Sequence, residues 1–255
     1  MRPRIERTHV SLKLAHVFLA TACVCLSALS TFASDNAGHI VLRSEVSRSH
    51  REELVTRLRT ITGLSSLSFD SDGSLRLGDQ TTGGSESARV LLTEAVAGPS
   101  LIVLEDASSR ADVAFCRVVR GRWIHGEANK PPAFVVLIDF TDFHQLSGDA
   151  EARAAFDVGW GLLHEIDHVV KDSEDARDNK VVGECEDHIN RMRREVGLPI
   201  RVDYFFSRAY LKADSNFNAR YVRLSFEREA KRYWLVWDAA TVGGLTGESQ
   251  RALVR

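Results

Sequence analysis

The reading of this chain turns on Ala154-Ala155-Phe156-Asp157-Val158-Gly159-Trp160-Gly161-Leu162-Leu163-His164-Glu165-Ile166-Asp167-His168-Val169-Val170. Its largely apolar run is long enough for a buried helix. On such a helix His164 and His168 stand one turn apart on one face, so one metal ion can take both imidazoles. Glu165, next to the first histidine, reaches a water beside that ion and can take its proton. This is the HExxH pattern, in which zinc acidifies the water and glutamate is the base. With this chain's His and Glu frequencies a chance occurrence has a probability on the order of 2%. Asp167 stands where the pattern prefers an uncharged residue. The bland alternative, an ordinary helix with two solvated histidines, fits poorly with apolar flanks.

Two histidines leave zinc short of a protein ligand. Downstream, Gly183-Glu184-Cys185-Glu186-Asp187-His188-Ile189-Asn190-Arg191-Met192-Arg193-Arg194-Glu195-Val196-Gly197-Leu198-Pro199 reads as a second helix, closed by Gly197 and Pro199. Cys185, Ile189, Met192 and Val196 form its apolar stripe. Glu184 and His188 flank that stripe on one side and Glu186 on the other. Glu184 is the leading candidate for the third ligand, with Glu186, His188 and the loop residue Glu174 as alternatives. Whichever of Glu184 and His188 is not a ligand is placed to orient an imidazole. The connection 172–180 carries Asp172, Glu174, Asp175 and Asp178. It lacks the spacing and glycine of a calcium loop and reads as a solvated acidic loop.

The segment Ile189-Asn190-Arg191-Met192-Arg193-Arg194-Glu195-Val196-Gly197-Leu198-Pro199-Ile200-Arg201-Val202-Asp203-Tyr204 resembles the ending of short bacterial zinc metallopeptidase domains found in secreted effector proteases and at the ends of Rhs-type toxins. The likeness covers residues 160–204. It implies a zincin-like α+β fold, with a mixed or antiparallel sheet, the HExxH helix and a second ligand-bearing helix. It implies His164 and His168 as zinc ligands and Glu165 as base, acting on a peptide or protein substrate. Tyr204, His144 and His188 are candidates for the donor that stabilises developing negative charge. The pentapeptide His-Glu-Ile-Asp-His also occurs in peptide deformylases. Their companion motifs are absent here, since Cys116 lies in Ala114-Phe115-Cys116-Arg117 rather than Glu-Gly-Cys. Two further alternatives are a zinc-binding envelope or interaction module without activity, and a metal-free binding protein.

Residues 1–33 read as a signal peptide: Arg2, Arg4, Arg7 and Lys13, then an apolar run, then Thr31-Phe32-Ala33 for cleavage. The expected destination is the periplasm or the medium, without stable membrane insertion after cleavage; the rival is an N-terminal anchor. The formal net charge of −2 leaves no footprint for nucleic acid. Cys23 and Cys25 leave with the leader, whereas Cys116 and Cys185 could pair or simply pack. The rest reads as an N-terminal α/β segment (34–86), a catalytic domain (87–242) and a flexible tail (243–255). Helices are expected at 50–62 and 88–97, and strands at 101–104, 112–119 and 133–140. Hairpins are expected around Asp72-Gly73 and between 221–226 and 233–237. The strand through Phe134-Val135-Val136-Leu137-Ile138 either lies over a cleft and pairs with an extended peptide or, being continuously apolar, is buried.

Overall fold

Helical and extended stretches alternate along the first two thirds of the chain, and a long hairpin closes it. In chain order they are β1 (His39–Leu42), α1 (Arg48–Thr62), β2 (Ser68–Phe69), β3 (Leu75–Arg76), α2 (Glu86–Ala97), β4 (Leu101–Asp106), β5 (Cys116–Arg120), β6 (Ala133–Ile138), α3 (Phe140–His144), β7 (Ser147–Gly148), α4 (Ala150–Ala154), α5 (Val158–Lys171), α6 (Glu184–Glu195), β8 (Ile200–Arg201), β9 (Ser207–Ala209), β10 (Tyr221–Arg228) and β11 (Lys231–Asp238). The structure is a computed structural model that describes residues 39–108, 110–123, 129–178, 181–209 and 221–243. The expected leader and the tail beyond Gly243 lie outside the described residues. No helix among the described residues is long and apolar enough to cross a membrane.

The first sheet runs β1-β4-β6-β5. β1, β4 and β6 are parallel and β5 is antiparallel to β6, so the sheet is mixed and the fold is α+β. β6 has a neighbour on each side, which explains its continuous apolar run and leaves it no edge for a peptide. Among the described residues the edge strands of this sheet are β1 and β5. The second sheet is antiparallel, ordered β7-β11-β10-β8, with β9 also on β10.

The N-terminal α/β segment packs into the same core as the residues that follow it. β1 pairs with β4 in register, and α1 packs on α5. Ile40, Leu42, Leu54 and Leu58 share one buried cluster with Ile102, Val136, Leu162 and Ile189. The described residues all belong to the unit Ala37–Arg255. A second cluster lies under the antiparallel sheet, around Leu224, Phe226, Leu235 and Trp237. Phe115 and Phe156 pack against both clusters and so mark their seam.

α5 sits at the centre of this arrangement because nearly its whole circumference is apolar. Val158, Trp160, Leu162, Leu163 and Ile166 are buried, each contributing roughly 1.5–3 kcal/mol. Asp157 caps its start, its Oδ1 accepting the Gly159 and Trp160 amides at 2.9 and 3.2 Å. The helix ends at Asp172, which adopts the left-handed conformation (φ 54°, ψ 31°).

Candidate metal centre

Rigid packing of α5 fixes where its two histidines point. Their Nε2 atoms lie 3.2 Å apart. A third donor comes from the reversal that follows Asp172: Asp175 Oδ1 lies 3.1 Å from His164 Nε2 and 3.3 Å from His168 Nε2. The three atoms form a nearly equilateral triangle. Ligand atoms about 2.0–2.1 Å from a tetrahedral zinc are roughly 3.3–3.4 Å apart, so this donor set fits such an ion with little adjustment and leaves the fourth corner open. Two imidazoles and a carboxylate also match zinc in chemical type.

Asp175, and not Glu184, stands beside the two imidazoles. Glu184 opens α6 and is exposed, outside the cluster that can hold a metal. Glu174 is also exposed and pairs with Arg177. The helix expected to bear the third ligand therefore supplies none to the triangle, and the loop expected to be merely solvated does.

The reversal itself is built from residues of the motif. Asp167, 1% exposed, accepts a hydrogen bond from Ser173 Oγ at 2.7 Å and lies 2.8 Å from His188 Nδ1. The carbonyl of Ser173 in turn lies 2.8 Å from His168 Nδ1. A carbonyl can only accept, so His168 carries its proton on Nδ1 and presents Nε2 to the triangle. The unusual charge at Asp167 thus clamps the turn that carries Asp175. Across the loop Asp175 bridges to Gly183, whose φ of 87° and contact with Ala176 (2.4 Å from a would-be Cβ) admit only glycine.

His164 turns its Nδ1 the other way, toward Cys185 Sγ at 3.4 Å and Glu186 Oε2 at 3.6 Å. Cys185 therefore faces the ring nitrogen that does not point into the triangle, and burial raises its thiol well above the ordinary range. Glu186, 1% exposed, is not a triangle member; it is locked by Arg193 and by Arg201 at 3.0 Å. Burial alone would raise its pKa, but the two guanidinium groups overcome that and lower it. It stands as a fixed anion behind His164. His188, paired with Asp167, is likewise behind the site rather than in it. Cys116 and Cys185 are both free thiols.

Glu165 is 9% exposed, and its Oε2 accepts the Val118 amide at 2.8 Å. Val118 is on β5, so this amide points away from β6, at the outer edge of that strand. Burial raises the Glu165 pKa, with His164, His168 and the Val118 amide acting against the rise. Tyr204 stacks on His164, ring centroids 6.4 Å apart at 27°, with Asp175 near its phenol. Burial and the neighbouring Asp175 charge keep that phenol protonated. His144 is elsewhere, 2.9 Å from Glu53 on an exposed face. Asp175 itself is held well below the ordinary carboxylate range: burial opposes its charge, and hydrogen bonds from His164 and His168 outweigh that. His168 is pushed up to about 9, first by its hydrogen bond to Asp175.

No family model, curated protein or solved structure matches the chain. The functional reading rests on the site.

Proposed function

We propose that this chain is an exported zinc-dependent peptide hydrolase of the zincin type. The observation that carries the reading is the triangle of His164 Nε2, His168 Nε2 and Asp175 Oδ1, with sides of 3.1–3.3 Å, beside a buried glutamate. Zinc held by these three residues would polarise a scissile carbonyl and bring the pKa of an attacking water to about 7.

The chain's own groups supply the rest. Glu165 takes the proton of the attacking water and passes it to the leaving nitrogen. The Val118 amide fixes the direction of its carboxylate. Tyr204 Oη, protonated and next to Asp175, is the donor for the developing oxyanion. The outer edge of β5, rather than that of β6, is where an extended peptide adds as a strand. Glu186 and the Ser173 carbonyl hold the two imidazoles from behind. Residues 1–33 serve as the export leader.

The test is to measure bound zinc and peptide hydrolysis in the purified chain and in Glu165→Gln. The variant is expected to keep its zinc and lose about 10²–10⁴-fold in rate. Full activity in zinc-loaded Glu165→Gln would refute the mechanism.

A further inference from the structure

Tyr204 stands on neither a helix nor a strand; it follows β8 on the short stretch Val202-Asp203-Tyr204. A donor to developing charge acts only where it is held in place, and a displacement of about 1 Å can cost about 10²-fold in rate. Something other than regular secondary structure must therefore hold the phenol beside His164.

The contacts around this stretch converge on Arg201. Its backbone is fixed first. Asn190 of α6 accepts the Arg201 amide through Oδ1 and donates through Nδ2 to the Arg201 carbonyl, both at 2.8 Å. Asn190 is buried, which shields this pair from water. From that base the side chain folds over the residues that follow. Its Nε donates to the Asp203 carbonyl at 3.1 Å and its Nη2 donates to the Tyr204 carbonyl. The guanidinium carbon lies 4.7 Å from the centre of the Tyr204 ring, within reach of a cation–π contact. Its Nη1 meanwhile donates to Glu186 Oε2 at 3.0 Å, and that same oxygen lies 3.6 Å from His164 Nδ1. One planar group thus touches both the anion behind His164 and the main chain and ring of Tyr204.

This arrangement is more than charge pairing. Glu186 already has a buried guanidinium partner in Arg193. The Asp203 carboxylate is engaged by Ser225 Oγ, so Arg201 takes the carbonyl of that residue instead. Two of the three Arg201 donors therefore go to main-chain oxygens of the stretch that carries Tyr204. We propose that Arg201 is the positioning residue of this centre, registering the Tyr204 phenol with the His164 imidazole. The placement follows from the contacts alone, whereas its service to catalysis rests on the hydrolase reading. Lysine in its place keeps a positive charge beside Glu186 but has no rigid fork to span the three acceptors.

The experiment compares Arg201→Lys, Tyr204→Phe and the double variant in the zinc-loaded full chain. Arg201→Lys is expected to keep its zinc and a KM within about 3-fold of the wild type, while kcat falls about 10- to 100-fold. In the Tyr204→Phe background the same exchange is expected to change kcat by less than about 3-fold, because the group it positions is gone. Equal losses in the two backgrounds would overturn the proposal, since a merely structural arginine acts whether or not the hydroxyl is present. A second readout is independent of activity. A fluorotyrosine is placed at position 204 alone, and its fluorine resonance is recorded in the chelated chain. Arg201→Lys is expected to shift and broaden that resonance, and an unmoved resonance would equally overturn the proposal. Should the lysine variant fail to fold, Arg201→Gln, in which Glu186 keeps Arg193, is expected to give the same shift and the same loss. A displaced resonance in a chain whose wild type cleaves no peptide would leave the placement standing and remove the hydrolase reading. Cleavage by the wild type with the resonance unmoved would do the reverse.

Discussion

At the scale of single residues, Asp175 is the donor that distinguishes the proposed zinc site from a pair of helical imidazoles. Asp175→Ala is expected to lose bound zinc outright on dialysis, whereas Glu184→Ala is expected to retain one equivalent. Metal analysis of the two purified variants checks this, and the opposite result would return the third ligand to α6. His164, Glu165 and His168 can be read from the chain because helical geometry alone sets their relative positions. Asp175 cannot, because its approach depends on a left-handed residue at Asp172 and on the clamp from Asp167 to Ser173. Nothing in the pattern distinguishes it from its acidic neighbours; the one available signal is Asp167 itself, a charge where an uncharged residue is usual. A second residue-scale expectation concerns Asp142, pushed up to about 6 chiefly by burial. An unfolded aspartate titrates near 3.9, so between about 4 and 6 the folded state holds a proton that the unfolded chain lacks. This group therefore stabilises the fold increasingly as pH falls from about 6 to about 4, and weighs against it above about 6. Asp142→Asn cannot ionise and is expected to remove that part of the slope. Urea denaturation of both proteins from pH 4 to 7 measures it, and parallel curves would count against the assignment.

At the scale of elements, long periodic segments are readable, and so is the short β2–β3 hairpin from its Asp72-Gly73 turn, whereas the other short elements are not. The pattern located α1, α2, α5 and α6, the strands β4 and β6, and the β10–β11 hairpin, because each repeats its apolar spacing over several residues. β1 is not legible in the pattern: it is a four-residue strand whose ladder partner, β4, lies some sixty residues away. The five-residue helices α3 and α4 are likewise too brief to show a period. The strand expected over 112–119 begins only at Cys116, because Phe115 turns left-handed under the pull of Asp142. The turn after α5 is the element on which the proposed zinc site most depends. Removing either side of its clamp, by Asp167→Ala or Ser173→Ala, is expected to weaken zinc binding about 10- to 100-fold. The two residues act through one hydrogen bond, so the double variant is expected to cost clearly less than the sum of the singles. Competition with a chromophoric chelator gives the three affinities. Strict additivity would mean that the turn is not held by this pair.

At the scale of the whole molecule, the proposed metal and the fold are thermodynamically linked. The triangle joins α5 to the loop leading into α6, so it brings into register two helices that both feed the first core cluster. Unfolding disperses His164, His168 and Asp175, and a ligand that binds only the folded state stabilises it by mass action. At free zinc about 100-fold above its dissociation constant the gain is about 2.7 kcal/mol. For a unit of this size about 1 kcal/mol moves the midpoint by about 2–4 °C, so chelation is expected to lower it by about 5–10 °C. The core itself does not need the ion: its clusters are apolar and extensive, and the chelated chain is expected to unfold in one cooperative transition at the lower temperature. A reducing agent is expected to leave both midpoints where they are, because Cys116 and Cys185 are free thiols, whereas loss of a native disulfide typically costs about 2–5 kcal/mol. Differential scanning calorimetry with zinc, with chelator and with each plus reductant separates these effects. A midpoint insensitive to chelation would show that the donors do not meet on a common ion, and a drop with reductant alone would show that the two cysteines pair after export.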